Sequence, residues 1–184
     1  MSGAIFNIQR LNFINGFYIR EKAIEKLTEL CVPYLKKAGL LVMGQISKNK
    51  LEKIVEVSKT RMKKLSEIVE LSDFFFEDKL NYDKNLLKWQ EMGDSDIKDS
   101  LLVSEKILSE VKDWDLKDLE EVLLSATGKF NLEKGYPEKN KGYLLWPLRV
   151  ALSGKQASAS PFEIADILGK EKTLKRITEA IIKF

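Results

Sequence analysis

Histidine is absent from this 184-residue chain, and cysteine occurs once. Without imidazole and with a single thiol, zinc sites and Ser-His or Cys-His catalytic pairs have no ligands or base to use. Carboxylate pairs or lysine chemistry are the remaining catalytic options. An internal disulfide is excluded as well, which suits a reducing cytosol. Cys31 lies among Leu30, Val32 and Leu35 and reads as a small core residue. Prolines number four, strand-like alternation is missing, and no apolar run approaches the roughly 18 residues of a membrane-spanning helix. No metal site, membrane span or signal peptide is expected, and Met1-Ser2-Gly3 reads as an added leader.

What is present is helical periodicity. Apolar residues make up 44% and charged residues 32% of the chain, a balance that fits globular structure and neither disorder nor a membrane protein. The formal net charge is +3 and the pI about 8.8, a mild bias towards polyanions whose weight depends on how the charge is distributed. Leu116, Leu119, Leu123 and Ala126 recur at helical steps, as do Leu174, Ile177, Ile181 and Phe184. Gly39, Gly128, Gly154 and Gly169 each follow such a run and are predicted as helix stops. Asp115 is a predicted N-cap, and "SPFE" (160–163) a capping box with Pro161 at the first helical position. About nine helices result. "EDKLNYD" (77–83) is polar and aperiodic, so the chain is divided into two helical bundles, 1–80 and 81–184, and the fold class is all-α.

Most apparent motifs dissolve under their own requirements. "SGK" (153–155) resembles part of a phosphate loop, but Arg149 stands where the earlier glycine belongs and Gln156 follows the lysine. Glu120 and Glu121 are adjacent and diverge around a helix. "KDWDLKDLEE" reads as a solvated helix face with acidic residues near its N-terminus. Three consecutive phenylalanines in "DFFFED" (73–78) cannot share one face and read as packing beneath a helix end.

Two features remain. Residues 143–153 on a helical wheel place Ala151, Leu144, Leu148, Leu152 and Leu145 on one arc, Arg149 at its edge, and Trp146 and Val150 opposite. Little of this helix is left for water, so Arg149 has to meet a carboxylate, carbonyls or an external partner, because burying an unpaired guanidinium costs several kcal/mol. An internal salt bridge or a snorkelling side chain satisfies that demand. So does a ligand at the neighbouring loop "GKQASAS", whose small residues permit close approach and whose Ser158 and Ser160 supply hydroxyls. The second feature is "SKTRMKKL" (58–65), with Lys59, Arg61, Lys63 and Lys64 and no acid until Glu67. If helical, it puts Ser58, Arg61 and Lys64 on one face. It reads either as a solvated basic face or as a site for phosphate attraction and base readout.

"LNFINGFYIR" (11–20), "LWPLRVALSG" (145–154) and "SPFEIADILGKEKTLKRI" (160–177), in this order and spacing, resemble the C-terminal part of bacterial-type glutamyl-tRNA synthetases. The resemblance spans essentially the whole chain; between the blocks it rests on helix layout. It implies an all-α anticodon-binding region of two consecutive helical bundles, unlike the β-barrels of bacterial glutaminyl-tRNA synthetases. The family's catalytic half, with its HIGH-type and KMSKS-type motifs, is not in this sequence. The chain therefore resembles a catalytically inert piece, with no cofactor of its own and ATP used by the missing half. The implied partners are the anticodon loop of glutamate tRNA and the parent's catalytic domain, without membrane contact. A monomer in the cytoplasm, bacterial or organellar, is expected.

By that resemblance Arg149 contacts the anticodon. The loop hydroxyl that also does so falls on Ser158, or on Ser160 if the register slips. Arg61, aligned to the start of the helix after "LEKIVEV", senses the third anticodon base, where arginine is associated with accepting glutamate tRNA and rejecting glutamine tRNA. Lys64 and Lys155 complete the candidate RNA contacts. The competing reading is a free-standing all-α module that binds RNA or protein without ligase activity.

Overall fold

Asn7 caps the first helix by accepting a hydrogen bond from the Arg10 N–H at 3.0 Å. From there the computed structural model describes residues 7–41 and 46–184, so the reading of Met1-Ser2-Gly3 lies outside the described residues. Among those described there are nine α-helices and no strand. The chain divides into two compact units, Met1–Phe76 and Glu77–Phe184.

The first unit holds α1 (Ile8–Glu21), α2 (Ile24–Lys37), α3 (Lys48–Lys59), a 3-10 turn (Leu65–Glu67) and α4 (Ile68–Phe76). Its core gathers Ile19, Leu27, Cys31, Leu35, Leu51, Val55, Met62 and Ile68. Burial pushes the Cys31 thiol up to about 11, the behaviour of a small apolar residue and not of a nucleophile. Phe74 and Phe75 are buried at the end of α4 with their rings 4.2 Å apart. Helix α2 stops where Gly39 takes φ 73°. The Gly39 and Leu40 N–H groups donate to the Lys36 and Leu35 carbonyls, the paired closure that a left-handed residue permits.

The second unit opens with Glu77–Asp83, which has no regular element, and a 3-10 turn, Lys84–Leu87. It continues with α5 (Asp94–Glu110), α6 (Leu116–Lys134), α7 (Gly142–Ser153), α8 (Pro161–Leu168) and α9 (Lys170–Ile181). Helix α7 is central: α5, α6, α8, α9 and the 3-10 turn all pack on it. That is why its sequence is apolar around most of its circumference, with Leu144, Leu148, Val150 and Leu152 fully buried. Each such side chain contributes about 1.5–3 kcal/mol on leaving water. Asp115 caps α6 by accepting from the Asp118 N–H, and Ser160 and Glu163 form the capping box of α8.

Three local expectations are corrected. Gly128 lies inside α6, which runs on to Lys134 and stops at Gly135 with φ 73°; the apolar stripe simply continues through Thr127 and Phe130. Residues 60–64 are not helical, because α3 ends at Lys59, so Ser58, Arg61 and Lys64 share no helix face. Helix α9 buries Thr173, Arg176, Ile177 and Ala180, one step round from the predicted stripe of Leu174, Ile177, Ile181 and Phe184. The buried face thus takes in an arginine that the predicted stripe left out.

Candidate functional site

Helix α7 ends at Gly154 (φ 67°), and the chain crosses a seven-residue loop before Pro161 opens α8. The Ser153 hydroxyl donates to the Arg149 carbonyl at 2.8 Å and accepts from the Lys155 N–H at 3.2 Å, tying the last turn of α7 to the loop. Ser158 and Ala159 are buried, whereas Gln156 and Ala157 are exposed. The loop therefore tucks its serine under itself and turns two residues outwards.

Arg149 is half-buried, less enclosed than its apolar helix implied. Its Nη1 donates to Ser158 Oγ at 3.1 Å and its Nη2 to the Gln156 carbonyl at 2.9 Å. The Ser158 hydroxyl spends its single hydrogen on the Ala159 carbonyl at 3.1 Å, which leaves its lone pairs turned to the guanidinium. The guanidinium carbon lies 4.4 Å from the Trp146 ring centroid, a cation–π arrangement. Of the loop residues singled out from sequence, Ser158 is thus joined to Arg149. Ser160 is engaged elsewhere: its hydroxyl accepts from the Glu163 N–H at 3.3 Å and donates to Glu163 Oε2 at 2.6 Å. Lys155 sits half-buried in the same loop.

Sequence reasoning did not single out Trp146, although a tryptophan three residues before an arginine on a helix is placed to meet it. Its Nε1 donates to the Leu86 carbonyl at 2.9 Å, and Trp89 packs on it with ring centroids 4.8 Å apart. Trp89 in turn donates from Nε1 to Asn140 Oδ1 at 3.2 Å. Gly142 makes room for that ring, since an added Cβ there would come within 2.3 Å of Trp89. The loop beside Trp89 is strained: Gln90 has φ 49° and holds it with a 2.8 Å hydrogen bond from the Tyr143 hydroxyl.

The second candidate cluster belongs to the first unit. Arg61 does not begin a helix; it lies in the connection after α3 and its Nη1 donates to the Val57 carbonyl at 3.0 Å, one of the carbonyls a helix end leaves without an internal partner. Met62, the next residue, is fully buried in the core of the unit. Lys63 and Lys64 are exposed, and the Glu67 carboxylate accepts from both their backbone N–H groups, at 2.6 and 3.2 Å. The acid is therefore used by the backbone turn, and the two ammonium groups project from it. Among the described residues no group of three or more His, Cys, Asp or Glu side chains could hold a metal ion, and no helix is long and apolar enough to cross a membrane.

A family model described as "Anticodon binding domain" matches residues 26–181. A glutamate–tRNA ligase of Clostridium kluyveri is 35% identical over 99% of this chain and 35% of its own length. One of Clostridium botulinum is 37% identical over 98% of the chain and, again, 35% of its own length. The chain thus spans about a third of the length of these relatives. A glutamate tRNA ligase structure from Elizabethkingia meningosepticum superimposes with a TM-score of 0.76 at 21% identity, covering 98% of this chain and 33% of that one. The enzyme from Elizabethkingia anophelis gives 0.73 at 22%, with the same coverage. These two structures are like this chain in fold.

Proposed function

Because this chain belongs to the anticodon-binding domain family, we propose that it binds the anticodon loop of glutamate tRNA as the C-terminal part of a glutamyl-tRNA synthetase. The ligation itself, glutamate joined to tRNA at the expense of ATP, belongs to the catalytic half of such an enzyme. This chain supplies recognition and no reacting group. It acts as a monomer in the cytoplasm, with that catalytic half and tRNA as partners. Residues 1–80 and 81–184 serve as the two consecutive anticodon-binding subdomains.

One observation supports this reading above the others: Arg149, the arginine of the "PLRVALSG" block, is half-exposed at the rim of an apolar helix and braced by the loop that follows. RNA sequence is read mainly on unpaired bases, through hydrogen bonds to their edges and stacking on flat side chains. A fork-shaped cation held at a fixed angle suits that task better than a mobile one. Ser158 works with Arg149, and the bond between them favours Ser158 over Ser160 as the loop hydroxyl of the RNA site, where it orients the arginine. Lys155 and Lys64 add phosphate attraction, and Arg61 senses the third anticodon base.

The test is a gel-shift series with glutamate tRNA and its anticodon variants at one fixed salt concentration. Tighter binding of the glutamate anticodon supports the reading, and equal affinity for every loop sequence refutes it. ATP–pyrophosphate exchange by the chain alone would refute the assignment of all chemistry to the other half.

A further inference from the structure

We propose that the first unit carries a nucleotide-binding cleft, in which Lys22, Lys63 and Lys64 hold a phosphate of bound RNA and Tyr18 and Tyr34 flank its base. The proposal rests on the RNA-binding reading above. It adds a site in the other unit from Arg149, one that attracts the strand without reading its sequence.

Helical spacing builds two of the walls. Tyr18 on α1 and Lys22 at its C-cap are four residues apart, as are Leu30 and Tyr34 on α2, so each pair leaves its helix on one side. Residues 63–65 form the third wall, and the space between them is about 290 Å³, close to the lower end of small-ligand sites at about 300 Å³. Gly16 lets the third wall approach α1. A Cβ added there would lie 3.4 Å from the Met62 carbonyl oxygen, 3.8 Å from Lys63 Cα and 3.1 Å from Arg20 Nη1. Any larger side chain at Gly16 would push the wall outwards.

The chemistry of the walls is one-sided. No aspartate or glutamate lines the cleft, and the nearby Glu67 turns its Oε2 to the N–H groups of Lys63 and Lys64. None of the three lysines is paired with a carboxylate among the described residues. Like charges gathered round one small space repel one another, and a phosphate relieves that repulsion. The two phenol rings are open to solvent, Tyr18 at 64% and Tyr34 at 38% exposure. Phe17 meets the Tyr18 ring edge-on at 5.7 Å and 78°, which restrains its tilt. Aromatic faces hold bases without demanding a sequence, over a floor that Ile19 and Leu30 keep apolar. A helix, about 10–12 Å across, does not enter a space this small, so charge and size together favour a single nucleotide over a protein segment.

The experiment titrates this chain with glutamate tRNA over a series of salt concentrations and, separately, with AMP. Lys22→Ala should weaken tRNA binding about fivefold for every anticodon alike and lower the slope of log affinity against log salt by about 1. Lys37→Ala, in the exposed last turn of α2 and outside the cleft, should leave affinity and slope as in the parent. Tyr34→Leu should weaken binding about tenfold with the slope kept, the range of one stacked base, and Tyr34→Phe should match the parent. If Lys22→Ala behaves like Lys37→Ala, or Tyr34→Leu binds tRNA as tightly as the parent, the cleft holds no RNA and the proposal is wrong while the RNA-binding reading stands. AMP binding that Lys22→Ala abolishes, with tRNA affinity unchanged, would overturn it too, in favour of a free nucleotide. If the parent binds glutamate tRNA no better than an unrelated double-stranded RNA, the RNA-binding reading itself falls and takes the cleft with it.

Discussion

Arg149 and Arg176 lie in the same unit, and both donate to backbone carbonyls, yet they occupy opposite kinds of environment. Arg176 is 2% exposed and faces inwards from α9 beside Thr173, Ile177 and Ala180. It donates from Nη1 to the Leu152 carbonyl, in the last turn of α7, and from Nη2 to the Glu77 carbonyl at 2.7 Å. The first of these is a carbonyl that a terminating helix leaves without an internal partner. Burial pulls the Arg176 guanidinium down to about 10, against the opposing pull of Glu77, Glu179 and Asp78. Arg149 stands at the rim, with a loop at its edge and an indole on its face. One guanidinium clamps chain ends together inside the unit; the other is held still at its surface. Residue type does not separate the two roles, whereas burial and the nature of the supporting contacts do.

The sharpest way to break this contrast is to remove each arginine and measure folding and binding separately. Arg176→Ala should lower unfolding free energy by about 3–5 kcal/mol, combining a buried void with carbonyls left unsatisfied. Its tRNA affinity, measured on the folded fraction, should not change. Thermal or urea melts together with a tRNA titration decide it, and a melt unchanged from the parent would overturn the clamp.

Arg149→Ala should show the opposite pattern. Binding of glutamate tRNA is expected to weaken by about 1–3 kcal/mol, as for other base-contacting arginines. The melt should move by only about 1 kcal/mol, the net worth of its hydrogen bonds to Ser158 and the Gln156 carbonyl. A large loss of stability with unchanged affinity would return Arg149 to the same class as Arg176.

Ser158 and Ser160 carry the contrast into the loop. Ser158→Ala removes the acceptor that orients Arg149 and should weaken binding by about 1 kcal/mol, mainly for the correct anticodon. Ser160→Ala should instead cost about 1 kcal/mol of stability through the lost N-cap. Affinity losses of equal size in both variants would erase the distinction drawn from their hydrogen bonds.

The smallest effects belong to the first unit. Arg61→Gln should cost glutamate tRNA less than about 1.4 kcal/mol while narrowing its advantage over glutamine tRNA by about 1–2 kcal/mol. Paired dissociation constants at one salt concentration measure both. Lys63→Ala should weaken all tRNAs alike and reduce the slope of log affinity against log salt by about 1. An anticodon-dependent loss for Lys63 would place it among the readout residues.

Some of this was legible before any coordinates. Helix starts carry their own chemistry: Asp115 caps α6 and Ser160 and Glu163 close the box on α8, since each bond spans only three residues. Gly39 and Gly154 stop their helices through local backbone freedom. Gly128 misled because glycine also occurs inside helices, where only the continuing apolar stripe tells the two cases apart. At the site, the proximity of Arg149 to the serine loop followed from nine residues of separation. The support beneath it did not, because Trp146 leans on Leu86 and Trp89, 60 and 57 positions away in sequence.

The sequence by itself determined the all-α class, most helix ends and the exclusion of histidine-based chemistry, because these depend on composition and on contacts within a turn. Only the tertiary structure decided which arginine is buried. Periodicity fixes the angle at which a side chain leaves its helix, but burial depends on what packs there. Arg176 meets carbonyls from α7 and from residue 77, 24 and 99 positions away, and no local pattern encodes that meeting.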